Sequence, residues 1–346
     1  MSAETVHPAP GASPGASLAP GSFSAFVVER TGDSIAQGIR TFSVDDLPAG
    51  DVLIRVDWSA VNYKDGMVAQ PGNRVARISP LVPGVDLVGT VVTGGGYDVG
   101  QPVIVHGHDL GVAHHGGFAA YARVPADWVV PLPDGLGPRQ AAIIGTAGFT
   151  AALSLRRLEI HGLTPDRGPV LVTGSSGGVG SMSVALLASR GYEVVASTGK
   201  AGEHPYLTGL GATEVIGRDL GDNGRVLGPE RWAGAIDCVG GRTLAGVLRS
   251  LRYGAGVAAS GLTGGNALET SVYPFIVRGV ALLGIDSVQT PMAERREVWN
   301  QLAGAFDPSV LDDMAADQIG LDGVPAALAA IAAGSVRGRI LVRPGS

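Results

Sequence analysis

Cysteine is nearly absent: Cys238 is the only one in 346 residues. Intrachain disulfides and cysteine-based metal clusters are therefore excluded. Cys238 itself, in the apolar strand end Ile236–Val239, reads as a small core residue. Lysine is almost as scarce, with Lys64 and Lys200 the only two and arginine supplying the remaining basic side chains. No apolar run is long and unbroken enough to span a bilayer, so no membrane is expected as a partner. The net charge of −6 argues against nucleic acid as a partner. Residues 1–22 are rich in Ala, Pro, Gly and Ser and lack the basic and apolar regions of a signal peptide. They are expected to form a disordered extension, and the cytoplasm is the expected compartment. Against these absences stand a hydrophobic content of 45% and a length that suits two domains of ordinary size.

The most informative segment is Val170–Gly180, V-L-V-T-G-S-S-G-G-V-G. A short apolar run, glycines at 174, 177, 178 and 180, and then an apolar-periodic stretch (Met182, Val184, Leu186, Leu187) read as strand, tight turn and helix start. That order sets free backbone N–H groups and a helix N-terminus against a phosphate, and the glycines let the backbone approach it. The spacing is a variant of the dinucleotide fingerprint, with two residues between its first two glycines. Ser176, Gly177, Gly178 and Val179 are the candidate pyrophosphate residues.

The next strand, Tyr192–Thr198, identifies the nucleotide. An NAD-preferring fold carries an acidic residue at its end to accept from the ribose 2′-OH. This chain has Ser197, Thr198, Gly199 and Lys200 there, and Glu193 is at the wrong end. Hydroxyls and an ammonium suit a 2′-phosphate, which a carboxylate would repel. Arg218, after the strand Glu214–Ile216, offers a second cation. NADPH is the expected cofactor.

The chain divides by pattern. Short strands at Phe23–Glu29, Val52–Trp58, Leu87–Val92, Pro102–Val105 and Phe118–Val124, separated by Gly/Pro/Asp turns, predict a partly closed β-barrel-like domain. A helix over Ala141–Arg157 leads into alternating strands and helices, with strands at Gly234–Asp237, Gly256–Ser260 and Val280–Ile285, which predict a doubly wound parallel sheet. A helix over Val324–Ala333 and a strand over Arg339–Val342 end the chain, and this strand is expected to return to the first domain. The expected fold class is thus α/β, a partly closed barrel over 23–144 and 304–346 with a Rossmann domain over 145–303.

With these segments assembled, the chain resembles the medium-chain dehydrogenase/reductase superfamily. Within it the likeness is to the zinc-free acryloyl-CoA reductase group, also described as YhdH-type quinone oxidoreductases. The segments that carry it include Asn62-Tyr-Lys-Asp65, Pro83-Gly-Val-Asp86, Ile144-Gly-Thr-Ala-Gly-Phe-Thr150, the Gly174–Gly180 loop, Pro274-Phe-Ile276 with Arg278, and Gly284-Ile-Asp-Ser-Val288. The resemblance runs from about residue 23 to the end, and it implies a GroES-like catalytic domain. Zinc-dependent relatives carry a Cys ligand and a Gly-His-Glu motif; here the corresponding stretch is Gly84-Val-Asp86, and no cysteine precedes 238. A catalytic zinc needs three protein ligands. His106, His108, His114 and His115 match no zinc spacing and read as a solvated or substrate-lining loop, so no metal is expected.

Without a Lewis acid, alcohol oxidation is poorly supported. Reduction of an activated C=C bond needs less: hydride to the β-carbon, polar groups to hold charge on the carbonyl, and a proton at the α-carbon. The resemblance implies acryloyl-CoA as substrate and propanoyl-CoA as product. It also implies that Tyr63 lies at the nicotinamide, orienting its carboxamide or donating to the substrate. Asn62 and Asp65 are expected to fix that loop through side-chain to backbone bonds. Arg339, in Gly338-Arg-Ile-Leu-Val342, is a second candidate catalytic residue, placed on a cofactor phosphate or the thioester carbonyl. Leu262, Ile276 and Ser287 are carried over as neighbours of the nicotinamide half. Arg74, Arg77 and Arg278 are candidates for a rim that holds the CoA phosphates. Two alternatives stay open: an NADPH quinone oxidoreductase of the same fold, and a non-catalytic NADPH-binding sensor or structural protein. The apolar strand at 280–285 would be an exposed sheet edge, which predicts a homodimer with a continuous sheet.

Overall fold

In the computed structural model of the chain, residues 21–72, 74–220 and 225–345 are described. The expected extension, apart from Gly21 and Ser22, lies outside them. The chain opens with an antiparallel hairpin, β1 (Phe23–Thr31) and β2 (Ser34–Phe42), turning at Gly32. β1 follows from its apolar run, whereas β2 has no buried residue and so no pattern to reveal it in sequence.

Next come β3 (Val52–Ala60), α1 (Tyr63–Val68), β4 (Asp86–Gly94), β5 (Pro102–His106), β6 (Tyr121–Val124) and β7 (Val130–Pro131). β6 is shorter than the expected 118–124. Its first residues turn to β1 instead: Ala25 bridges to Ala119, and the Phe26 N–H donates to the Phe118 carbonyl (2.8 Å).

α2 (Pro138–Ile160) is the spine between the two halves. Proline at its first position suits a helix start, and the Gln140 side chain accepts from the Gly137 N–H (2.9 Å). Its buried residues touch β3 and β4 on one side and α3, β11 and β12, defined below, on the other. The alternating half follows as β8 (Val170–Thr173), α3 (Gly178–Ser189), β9 (Val194–Ser197), α4 (His204–Gly209), β10 (Glu214–Ile216), β11 (Gly234–Asp237), α5 (Gly241–Ser250), β12 (Gly256–Ala259), α6 (Tyr273–Arg278) and β13 (Ala281–Gly284). These strands form one parallel sheet in the order β10-β9-β8-β11-β12-β13. The order reverses direction between β8 and β11. In such sheets ligands bind in the crevice at the carboxyl ends of the strands on either side of that point.

α7 (Met292–Leu302), α8 (Pro308–Met314), β14 (Ala315–Ile319), α9 (Val324–Ala332) and β15 (Arg339–Val342) complete the chain. β15 runs antiparallel to β3 and parallel to β14, so the chain does return to its first domain. The resulting seven-stranded sheet has the order β14-β15-β3-β4-β5-β7, with β6 also on β3. β14 (A-A-D-Q-I) is short and polar, and its sequence carries no strand signal.

Candidate active site

The site begins where β3 runs into α1. Asp65 is fully buried, and its carboxylate accepts from the backbone N–H groups of Asn62 (2.8 Å), Gly84 (3.0 Å) and Val85 (3.1 Å). It thereby joins the Asn62–Asp65 turn to the Pro83–Val85 loop. Burial, with the charge of Asp86 beside it, raises its pKa to about 7 against those three donors. Tyr63 opens α1 and is half-buried, and its phenol makes no hydrogen bond among the described residues. A half-buried polar tip without a protein partner is available to a ligand.

Behind Tyr63 lies a sealed polar cluster. Asp86, at the head of β4, accepts from the Asn62 side-chain amide (2.7 Å), the Thr146 N–H (2.8 Å), the Thr146 hydroxyl (2.5 Å) and Arg339 Nη2 (3.0 Å). Arg339 also donates to Asn62 Oδ1 (2.9 Å), the Ile143 carbonyl (3.1 Å) and the Val61 carbonyl (3.4 Å). The Arg339 and Asp86 side chains are 3% and 4% exposed. Burial lowers the Arg339 pKa, an effect that Asp86 offsets only in part. Gly145 interrupts the helical backbone of α2 at φ 46°. A side chain there would meet Asp86 Oδ2 at 2.6 Å and Arg339 Nη2 at 2.9 Å. The glycine makes room for the cluster and frees the Thr146 N–H to point into it.

Arg339 is therefore not an open cation. Its guanidinium is held by four protein acceptors, and its reach to the nucleotide is indirect: Nη1 lies 3.2 Å from where a Cβ of Gly178 would stand. Asp86 and Thr146 are the residues that sequence reasoning missed. Both lie inside quoted motifs, and the usable signals were a carboxylate leading an apolar strand and a Gly-Thr pair inside a helix.

The Gly174–Gly180 loop connects β8 to α3, with Gly177 as the N-cap. The first N–H groups of α3, on Gly178 and Val179, have no acceptor within the helix. The Ser176 carbonyl accepts from the Gly338 N–H (3.0 Å), which joins the loop to the strand carrying Arg339. Ser176 Oγ and Thr198 Oγ1 are 3.2 Å apart. The Arg218 guanidinium packs on Gly199, so a side chain there would have to displace it. Lys200 Nζ donates to the Val336 carbonyl (2.9 Å), and burial lowers its pKa. Ser176, Thr198, Gly199, Lys200 and Arg218 thus gather at the ends of β8, β9 and β10.

The other expected residues are more scattered. Leu262 is exposed in the turn after β12, and the Ser287 carbonyl accepts from Arg295 Nη2 (3.2 Å). Ile276 is 71% exposed on α6, beside exposed Val272, Tyr273 and Val277. Among the rim candidates, Arg77 pairs with Asp109, and Arg278 donates to the Arg249 and Gly228 carbonyls (2.9 and 2.6 Å), inside the nucleotide half.

The histidine loop departs from expectation. His106 is not solvated: it ends the apolar run of β5 and is 1% exposed, between Phe149 and Trp299. Its Nε2 accepts from Trp299 Nε1 (2.8 Å), and burial with the Arg295 charge holds its pKa well below the usual range. His108 stacks on Trp128, and the N–H of Val82 donates to His115 Nδ1 (3.3 Å). Among the described residues no group of three His, Cys, Asp or Glu side chains is arranged to hold a metal ion. No helix there is long and apolar enough to cross a membrane.

The chain is similar to known proteins in sequence and in fold. The alcohol dehydrogenase GroES-like domain family matches residues 48–134, and the family described as zinc-binding dehydrogenase matches 178–304. Acrylyl-CoA reductase AcuI of Ruegeria pomeroyi is 47% identical over 326 residues, 92% of this chain and 98% of its own length. The crystal structure of YhdH from Escherichia coli K-12 with bound NADPH superimposes with a TM-score of 0.90 at 43% identity, over 92% of this chain and 99% of that one. YhfP of Bacillus subtilis, solved with NAD bound, also gives 0.90, at 45% identity over 93% and 99%. With its barrel, its nucleotide sheet and the buried junction between them, the chain belongs to the medium-chain dehydrogenase/reductase superfamily of oxidoreductases, in the group of AcuI, YhdH and YhfP.

Proposed function

We propose that this protein is an NADPH-dependent reductase of the activated C=C bond of a short 2-enoyl-CoA, with acryloyl-CoA as substrate and propanoyl-CoA as product. The observation that carries the reading is the free phenol of Tyr63, beside the sealed Asn62–Asp86–Arg339 cluster, in a chain 47% identical to an acrylyl-CoA reductase over nearly its whole length.

The residues present fit the dinucleotide. The N–H groups of Gly178 and Val179 suit the pyrophosphate, with Ser176 and Gly177 lining it. Thr198, Lys200 and Arg218 suit the 2′-phosphate, with Gly199 giving Arg218 its place. Leu262 and Ser287 are assigned to the nicotinamide side. When bound, NADPH supplies a hydride for the β-carbon of the enoyl group. Tyr63 is assigned to the meeting point of nicotinamide and substrate, where its hydroxyl donates a proton at the α-carbon or holds the carbonyl as charge moves onto it. Arg339 is assigned a positioning role. Through Asn62 and Asp86 it fixes the turn that carries Tyr63, and through Gly338 it ties that turn to the pyrophosphate loop.

The proposed assembly is a homodimer. β13 is the edge of the parallel sheet, and the exposed apolar residues of α6, Ile276 among them, flank it. Pairing β13 with its copy across a two-fold axis covers both. We divide the chain into a catalytic domain over 23–144 and 304–346 and a nucleotide domain over 145–303, and place it in the cytoplasm. The deciding experiment follows NADPH oxidation with acryloyl-CoA beside a benzoquinone. Faster turnover of acryloyl-CoA is expected. Turnover of the quinone alone would replace this reading with a quinone reductase, and turnover of neither would leave a binding protein.

A further inference from the structure

Arg295, on α7, is fully buried, yet no carboxylate lies within ion-pair distance of it among the described residues. Buried arginines without an acidic partner are costly unless other acceptors take their donors. Here acceptors from both halves of the molecule take the Nη1 and Nη2 donors, and Nε alone has no partner among the described residues. Nη1 donates to the His106 carbonyl (3.1 Å) and meets the His106 ring at Nδ1 (3.0 Å), at the end of β5. Nη2 donates to the carbonyls of Ser287 (3.2 Å), Val288 (3.0 Å) and Thr290 (3.4 Å), in the turn after β13. The guanidinium also lies over Phe149, 5.2 Å from the ring centre, a cation–π contact. Burial lowers its pKa only to about 10, so the group stays charged at neutral pH.

The backbone around it is shaped to admit it. Gly107 has φ +77°, and a Cβ there would stand 2.9 Å from both Arg295 Nη2 and the Val288 carbonyl. The His108 N–H donates to the same Val288 carbonyl (3.0 Å). His106 is also the register partner of Asp86 on β4. Arg295 therefore fixes the Ser287–Thr290 turn to the strand pair whose other member holds Asn62, Thr146 and Arg339.

We infer that Arg295 is a positioning residue for hydride transfer: its guanidinium sets the turn on the nicotinamide side against the strand pair that orients Tyr63. The inference rests on the reading of Ser287 as a neighbour of the nicotinamide. Arg295→Lys keeps the charge, but a single ammonium cannot hold acceptors on both sides as a planar fork does. A displacement of about 1 Å between reacting groups costs on the order of 10²-fold in rate. Arg295→Lys should therefore lower kcat by that order while the KM for NADPH moves only a few-fold. NADPH deuterated at the transferred position should show a larger isotope effect in the variant, as hydride transfer becomes more fully rate-limiting.

Gly107→Ala intrudes on the same contacts without replacing the arginine, and should give the same split if Arg295→Lys does not fold. Trp299→Phe removes a bond to the His106 ring alone and should lower thermal stability with kcat and isotope effect unchanged. A wild-type isotope effect and kcat in the first folded variant of the two would overturn the inference. So would a Trp299→Phe enzyme that loses kcat as Arg295→Lys does, since general destabilisation would then be the cause. A wild-type enzyme that turns over neither acryloyl-CoA nor a benzoquinone overturns the functional reading, and this inference falls with it. Wild-type turnover with unaffected variants overturns the inference alone.

Discussion

At the proposed reaction end, Asp86 accepts four hydrogen bonds and Arg339 donates four, inside a pocket closed to water. At the proposed adenosine end, Lys200 is only partly buried, and its ammonium has one acceptor, the Val336 carbonyl. An ammonium carries three donors, so two remain for a ligand. The contrast separates two tasks. Orientation of reacting groups tolerates little displacement, and a network with all its polar atoms paired resists displacement. Recognition of a charged phosphate requires cations that can reach a ligand arriving from solvent.

The sharpest way to break this contrast is at Asp86. Asp86→Ala leaves Arg339 buried without a counter-charge and removes the acceptor from Thr146 and Asn62. Losing one partner of a buried ion pair costs about 3–5 kcal/mol. Chemical denaturation should show a loss of that order, whereas Lys200→Ala should cost far less. Equal losses would mean that the two ends are not built differently.

Legibility in the sequence follows the same division. The gathering of Lys200 and Thr198 beside Ser176 was readable because all three lie at strand ends next to a glycine turn in the same βα unit. Asp86 and Arg339 lie 253 positions apart, and Thr146 is 60 from Asp86. No local pattern joins them; only the return of β15 to β3 and the interruption of α2 at Gly145 bring them together. The fold was legible where strands are buried on both faces, as in β8 (V-L-V-T), and hidden where they are exposed, as in β2 and β14. His106 was misread because a histidine between glycine turns looks solvated. Its partners, Arg295 and Trp299, are 189 and 193 residues away.

Tyr63 sharpens the contrast from the side of chemistry. Tyr63→Phe deletes one hydroxyl and disturbs no hydrogen bond among the described residues. If the phenol is the proton donor, turnover of acryloyl-CoA should fall on the order of 10²-fold, with NADPH affinity little changed. Quinone reduction needs no protonation at carbon and should be less affected. Equal, small losses with both acceptors would remove Tyr63 as the acid.

At the other end, Lys200→Glu turns an attraction for the 2′-phosphate into a repulsion. A charge-assisted hydrogen bond contributes about 1.5–3 kcal/mol, so the ratio of kcat/KM for NADPH over NADH should fall by at least about 10-fold. Stability should move little. An unchanged ratio would take Lys200 out of the phosphate site, leaving it only the tie to Val336.

Asp65 gives a gentler test, through pH. Its folded-state pKa is raised to about 7, whereas an unfolded aspartate titrates near 3.9. Between those values the native state holds the extra proton, so this group's contribution to stability falls as pH rises from about 4 to about 7. Asp65→Asn should flatten that part of the stability profile. A wild-type profile that rises through the window and is flattened in the variant would show that the three N–H donors outweigh burial.

The smallest expected effect is none at all, on removing metal. One matching family is described as zinc-binding dehydrogenase, which makes the histidines the place where the reading is most exposed. The imidazole of His106 already accepts from Trp299 and meets Arg295, a cation that would repel an arriving metal ion. The ring of His115 takes the Val82 N–H, and its pKa is lowered to about 4, by burial first and then by His114. His108 and His114 both pack on the Trp128 ring. A catalytic zinc needs three ligands converging on one point, and these side chains are engaged instead with Trp299, Arg295, the Val82 N–H and Trp128. Dialysis against a strong chelator should therefore leave the reduction of acryloyl-CoA intact. Activity lost on dialysis and restored by zinc would place a metal at this loop, and the proposed reaction end would then need a Lewis acid beside Tyr63.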